Sequence, residues 1–350
     1  MKTYQIKKNQ ILELLSPYLE RDSQLIAPSV NALGVVEFMP IHDIQEIVFN
    51  SLIPIKPPKS YIFPPSSVLV QFDSQNPVEL NAEKDKFIAR QALFGLKPCD
   101  LAAIAYMDDF FGSNITDTLY TERRSKTMII GMACETPSNA CFCTTMDIDP
   151  GFSTAVDIFL VPCPDGYFVE ALSQKGQEHI DNLKVSWEEV SAEIVTKAKK
   201  VISEATSLKL IDKIDLSREK GKFNQIYEAD FWKKYSDTCI VCGACTFDCP
   251  TCSCFDVSDS LKSSIKGCRY RSWDSCSFND FSLHASGHNP RSSKLHRLRQ
   301  RIMHKYQYSV EKMDTWSCTG CGRCIRVCPV GINTRSILKD AKEALGEQDR

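Results

Sequence analysis

Little in this 350-residue chain points to a membrane, a nucleic acid or a bound nucleotide. No apolar stretch approaches the roughly 18 residues needed to span a bilayer. The first eight residues, Met1 to Lys8, lack the apolar core of a secretory signal. The expectation is a cytoplasmic protein with no membrane attachment of its own. Lysine and arginine together number 42 against 44 acidic residues, a formal net charge of −2, so no excess of positive charge exists to hold a phosphate backbone. No Gly-x-Gly-x-x-Gly follows a strand-like run, no Walker A sequence occurs, and no Cys-x-x-Cys-His is present for covalent haem. The chain is therefore expected to bind no flavin or nicotinamide itself. Low-complexity segments and a helix-turn-helix candidate are also missing.

Cysteine is what the chain has in excess: 17 residues. A secreted disulfide framework and metal sites in a reducing compartment compete to explain that number. The count is odd, no signal precedes it, and most cysteines sit two to four residues from another. Neighbours that close rarely satisfy disulfide geometry, yet they wrap readily around one metal centre. Metal sites are the better reading.

The cysteines divide the chain. Before residue 186, apolar runs at 68–72, 127–132 and 157–161 read as buried strands. Pro54, Pro57, Pro58, Pro64 and Pro65 punctuate the approach to the first of them. Helical periodicity appears at 11–19, 100–111 and 174–183. Residues 1–186 are thus expected to form an α+β, or α/β, domain. Residues 187–236 read as a charged helical linker, with apolar positions at Ile194, Ala198, Val201, Ala205, Leu208 and Ile211. Residues 237–350 are cysteine-dense and punctuated by Gly and Pro, a second domain. It ends in a helix that starts near Asn333 and carries Ile337, Leu338, Ala341 and Leu345 on one face.

Two stretches of the second domain match one pattern without a gap. They are Cys239-Ile-Val-Cys242-Gly-Ala-Cys245-Thr-Phe-Asp-Cys249-Pro250 and Cys318-Thr-Gly-Cys321-Gly-Arg-Cys324-Ile-Arg-Val-Cys328-Pro329. Cys-x₂-Cys-x₂-Cys lets three thiolates fold around one face of a [4Fe–4S] cubane, and small residues between them let the backbone approach its sulfides. In two-cluster ferredoxins the fourth cysteine ligates the other cluster. One cluster is therefore assigned to Cys239, Cys242, Cys245 and Cys328, the other to Cys318, Cys321, Cys324 and Cys249. A single Cys-x₂-Cys would favour zinc; two full copies do not. The 68 residues between Cys249 and Cys318 exceed a minimal ferredoxin and point to an α-helical ferredoxin-like domain with a large insertion.

Nine cysteines remain. Cys99, Cys134, Cys141 and Cys143 lie in the first domain. Cys134 follows the strand 127–132 and Cys99 precedes a helix, so both are expected at the strand-end edge of the sheet, where ligands converge in open sheets. Four thiols without a nearby histidine suit a third [4Fe–4S] cluster; zinc and plain buried thiols stay open as alternatives. Cys252, Cys254 and Cys276 lie near the clusters in sequence and read as packing that tunes them, with replacement of one assigned ligand as the alternative, while Cys163 and Cys268 stand alone as structural thiols. The basic stretch Arg291, Lys294, His296, Arg297, Arg299, Arg301, His304 and Lys305 reads either as a solvated or docking face, or as positive charge that offsets the clusters.

Several of these segments resemble one family. They are Gly95-Leu-Lys-Pro-Cys-Asp-Leu101, Cys141-Phe-Cys-Thr-Thr-Met146, Cys249-Pro-Thr-Cys-Ser-Cys-Phe-Asp256, Arg271-Ser-Trp-Asp-Ser-Cys276, Gly287-His-Asn-Pro-Arg291 and Arg299-Gln-Arg-Ile-Met-His-Lys305. The family comprises the beta subunits of cytoplasmic sulfhydrogenases, which are NAD(P)-linked [NiFe] hydrogenases, and the corresponding iron–sulfur component of anaerobic sulfite reductase. The resemblance implies an electron-transfer subunit of an oxidoreductase complex. Its partners would be a diaphorase-type subunit with FAD and a [2Fe–2S] cluster, and a catalytic subunit of [NiFe] hydrogenase or sirohaem sulfite reductase type. In that reading no residue of this chain is catalytic. Two rivals are a self-contained reductase of sulfur compounds, using a pair such as Cys252 and Cys254, and a cluster-based redox sensor.

Overall fold

A computed structural model describes residues 2–73, 90–183, 185–211, 213–263 and 265–348. In chain order the first half runs β1 (Thr3–Lys7), α1 (Ile11–Leu15), β2 (Ser23–Val30), β3 (Val36–Ile41), β4 (Ser66–Asp73), β5 (Arg90–Leu96), α2 (Pro98–Gly112), α3 (Thr118–Lys126), β6 (Thr127–Met132), β7 (Ile158–Cys163), β8 (Gly166–Ala171), α4 (Gln174–Leu183), β9 (Glu188–Glu189) and α5 (Ala192–Lys209). Eight of these strands form a mixed sheet in the order β3-β2-β5-β6-β7-β8-β1-β9. Its centre, β2, β5, β6 and β7, is parallel, and the flanks are antiparallel.

The reason lies in the apolar runs. All six residues of β6 are buried, as a central parallel strand requires when helices cover both faces. Leu14 of α1 and Ile180 of α4 pack with Ile130 and Leu160 on one face. Leu101 of α2 and Val195 of α5 pack with Ile129 and Phe159 on the other. Gly131 lets α2 come close, because a Cβ there would stand 2.6 Å from Leu101 Cδ1.

Two expectations shift. The segment 68–72 is a strand, but β4 is mostly half-buried and lies outside this sheet. The charged segment after residue 187 contains α5, which lays Val195, Ala198 and Ile202 against the sheet. Burying Val195 fully is worth about 1.5–3 kcal/mol. Of the expected apolar positions Ala198 packs, while Ile194, Val201 and Leu208 are exposed and Val195 and Ile202 take the contact instead.

The second half runs α6 (Phe231–Thr238), α7 (Ala244–Phe247), β10 (Phe255–Leu261), β11 (Lys266–Trp273), α8 (Lys294–Met303), α9 (Ser309–Met313), α10 (Arg323–Arg326) and α11 (Thr334–Gln348). A π-helical turn, His304–Tyr308, joins α8 to α9. Trp232, Phe223, Tyr306, Ile337, Leu338, Ala341 and Leu345 form its core, so the C-terminal helix uses the face read from sequence. The residues between the two cysteine motifs are not all helical. The hairpin β10–β11 occupies part of them, and β4 adds to it as a third strand. The alternation that would mark β10 is weak because its residues are mostly exposed.

Candidate iron–sulfur centres

The two cysteine motifs fold alike. Val241 and Gly320, each third in its motif, have φ of 61° and 60°; Gly243 and Gly322, each fifth, have φ of 74° and 75°. Glycine adopts this left-handed region freely. Valine does not, so Val241 stores strain of about 1–3 kcal/mol. From each fifth residue a one-turn helix, α7 or α10, carries the third cysteine.

The chain then crosses the motifs. A cavity of about 60 Å³ is lined by Cys239, Cys242, Cys245 and Cys328, and by Cys324 of the second motif as well. A second, of about 20 Å³, is lined by Cys318, Cys321, Cys324 and Cys249. The fourth cysteine of each motif thus faces the cavity of the other. Backbone N–H groups serve the sulfurs: Val241 N donates to Cys239 Sγ at 3.4 Å and Ile332 N to Cys328 Sγ at 3.2 Å. Among the described residues, no three His, Cys, Asp or Glu side chains converge tightly enough to hold a single metal ion. The thiols surround spaces rather than a point, which suits a multi-atom cluster better than zinc.

The basic stretch is a solvated face only in part: Lys294 is exposed and Arg291, His296 and His304 are half-buried. Arg297, Arg299, Arg301 and Lys305 are buried. Arg301 lines both cavities and donates to the Cys245 carbonyl at 3.0 Å. Lys305 Nζ donates to Thr251 Oγ1 at 3.0 Å and to the Ser317 carbonyl at 2.8 Å. Burial opposes the charge on Arg301, but Cys245, Cys324, Cys252 and Cys249 outweigh it and raise its pKa. Burial likewise raises the Cys245 and Cys318 thiols and pushes Cys321 up to about 12. Thiols held protonated by burial need a bound cation to become thiolate ligands. Cys242 is the exposed one of the eight, whereas Cys249 and Cys321 are buried.

Cys99, Cys134, Cys141 and Cys143 are all buried. Cys99 and Cys134 lie just beyond the ends of β5 and β6, as the strand pattern predicts, and Cys141 and Cys143 come from the segment after β6. Cys99, Cys141 and Cys143 pack with Cys321 and Ile53, and Cys134 faces Cys141 and Cys143. Beside them Lys97 is buried, its Nζ donating to the Ala133 carbonyl at 3.4 Å. Burial lowers its pKa, against the pull of Cys134, Glu135 and Cys99. A lysine in that position favours a site that carries negative charge. Contact with the second motif is direct: Phe142 N donates to the Gly320 carbonyl at 2.8 Å, and a Cβ on Gly322 would lie 2.5 Å from the Ala140 carbonyl.

Of the three thiols that sequence places near the clusters, Cys252 lies within hydrogen-bonding reach of Cys249 and Cys254 within reach of Cys276. Lys59, buried as well, donates to the Cys252 carbonyl at 2.9 Å and lies 4.3 Å from the centre of the Trp273 ring. Sequence reading missed Lys59, Lys97 and the buried pair of Asp100 with Arg323. No spacing rule marks a lysine that turns inward.

Residues 238–332 match the family described as a 4Fe-4S dicluster domain. Over 316 residues the chain is 31% identical to sulfhydrogenase 2 subunit beta of Pyrococcus furiosus, which covers 88% of this chain and 89% of the relative. No solved structure matches. No helix among the described residues is long and apolar enough to cross a membrane.

Proposed function

The chain belongs to the sulfhydrogenase beta-subunit family, and on that premise we propose that it is the electron-relay subunit of an oxidoreductase complex. The [4Fe–4S] clusters, when bound, supply carriers of single electrons. Cys239, Cys242, Cys245 and Cys328 hold one; Cys318, Cys321, Cys324 and Cys249 hold the other. The observation that carries this reading is the grouping of those crossed sets around two cavities. Arg301 and Lys305 offset the negative charge of reduced centres and keep it tolerable in a buried site.

Cys99, Cys134, Cys141 and Cys143 hold a third cluster, with Lys97 as its counter-charge. The exposed Cys242 marks the end of the relay that meets a partner. Those partners are a catalytic redox subunit of [NiFe] hydrogenase or sirohaem sulfite reductase type, and an FAD/[2Fe–2S] subunit of diaphorase type.

Iron and acid-labile sulfide per chain, measured on anaerobically purified protein, test the proposal together with EPR after dithionite reduction. About twelve irons, falling to about eight in Cys134→Ala, support three clusters. About eight in both proteins support two and remove the third. Zinc in place of iron overturns the relay.

A further inference from the structure

Five thiols stand outside all of these sets; Cys163 lies in β7 and Cys268 in β11, and the fold does not treat the other three alike. Cys252 turns to Cys249. Cys254 and Cys276 turn to each other, although 21 residues separate them in the chain. The hairpin brings them together. Phe255, the first residue of β10, pairs with Trp273, the last of β11, and Asp274 N extends the ladder by donating to the Cys254 carbonyl at 3.0 Å. Cys254 stands one residue before β10 and Cys276 three residues after β11, so both lie at the open mouth of the hairpin. Both residues are half-buried, whereas Cys249 is buried.

We propose that Cys254 and Cys276 are a reversible thiol–disulfide pair, a redox site separate from the iron–sulfur ligands. Its partner is a disulfide, either a small molecule or a protein. The Cys254 thiolate attacks that disulfide, forms a mixed disulfide and expels one thiolate. Cys276 then loses its proton and attacks Cys254 Sγ, closing the Cys254–Cys276 bond and expelling the second thiolate. The pair gives up two electrons, the partner disulfide accepts them, and the two protons leave with the thiols formed.

The surroundings assign the roles. The Cys276 thiol donates to Cys254 and its backbone N–H faces the same sulfur, which brings Cys254 down to about 7. The same contact, together with burial, raises Cys276. Lys305 and Lys59 add positive charge on the Cys254 side. Cys254 is then the attacking thiolate and Cys276 the resolving thiol. The pair named by sequence proximity, Cys252 with Cys254, is not the one the fold joins. Cys254 lies five residues from Cys249 along the chain, so closing the bond stiffens the loop that leaves the second cluster site.

The test treats full-length protein, purified without oxygen and assayed for iron, with glutathione disulfide, followed by differential alkylation and peptide mass spectrometry. The expected result is a Cys254–Cys276 cross-link that dithiothreitol reverses, with iron per chain unchanged. Cys276→Ser should instead trap glutathione on Cys254. Protection of all three thiols until iron or zinc is chelated would overturn the proposal in favour of a metal site. So would glutathione on Cys254 of the unmodified protein without a cross-link. The iron count is a separate readout: a low count with an intact cross-link sinks the relay and leaves the pair standing.

Discussion

The Asp100 carboxylate grips the Arg323 guanidinium through two oxygens, at 2.6 and 3.1 Å, and both side chains are wholly excluded from solvent. Arg323 Nε also donates to the Pro54 carbonyl at 2.8 Å. Asp100 follows Cys99 at the start of α2, and Arg323 precedes Cys324 at the start of α10. The pair therefore fastens the sheet's cysteines to the second motif.

Removing one partner from such a pair leaves a charge in a dry site, at a cost of about 3–5 kcal/mol. Asp100→Asn should lower stability by that order, measured by denaturant titration of the iron-loaded protein under anaerobic conditions. The double variant Asp100→Leu with Arg323→Met should recover most of the loss, since neither charge is then stranded. Equal losses in the single and double variants would mean that the pair is not the fastening element.

Val241 offers a gain. It takes the left-handed conformation that Gly320 takes in the second motif, and it is only half-buried, so little packing is lost with its side chain. Val241→Gly should stabilise the protein by about 1 kcal/mol, the strain relieved less the entropy that glycine adds to the unfolded chain. A rise in Tm at unchanged iron content checks this. A fall would mean that the valine side chain shields the first centre from water.

How much of this was readable beforehand divides along physical lines. Both cysteine motifs were legible because one metal centre needs its ligands close in sequence, and β6 was legible because a strand buried on both faces is continuously apolar. The hairpin β10–β11 was not, since its residues face water and alternate weakly. Nor was the pairing of β4 with β11, which depends on register between segments far apart in the chain. The basic stretch stayed open between two readings for a related reason: charge on a helix usually means solvent, and it is the facing thiols that go with the burial of Arg301 and Lys305. Val241 in the first motif gave no sign of the left-handed turn there, which a glycine such as Gly320 signals in the second.

Arg301 lies between the two cavities and should set both potentials. A unit charge at about 8 Å, in a medium of effective dielectric about 20, is worth about 2 kcal/mol, or about 90 mV for one electron. Arg301→Gln should therefore shift both midpoints to more negative values by tens of millivolts, because added negative charge loses its counter-ion. Arg301→Lys should keep most of the native value. EPR-monitored redox titration reads both midpoints. A shift in one centre alone would place the guanidinium's influence on a single cluster.

His179 should make stability fall with acid. Its ring is buried, Nε2 lies 2.9 Å from the Leu14 carbonyl, and Nδ1 faces Arg90 at 3.5 Å. Nε2 must donate to that carbonyl, which leaves Nδ1 as the acceptor toward the guanidinium. Burial is the main cause that lowers the pKa below 6.5, and the Arg90 charge adds to it. Above pH 6.5 the imidazole is neutral in both folded and unfolded chains, so it contributes no slope there. As the pH falls below 6.5 the unfolded chain takes up a proton that the folded ring refuses, and stability drops until the folded pKa is also passed. His179→Gln has nothing to titrate, and its amide can still donate to Leu14. Denaturation midpoints of the two proteins, compared between pH 7.5 and 5, should diverge only below pH 6.5, with the native protein losing more. Parallel curves across that range would show that the folded ring accepts its proton as readily as the unfolded one.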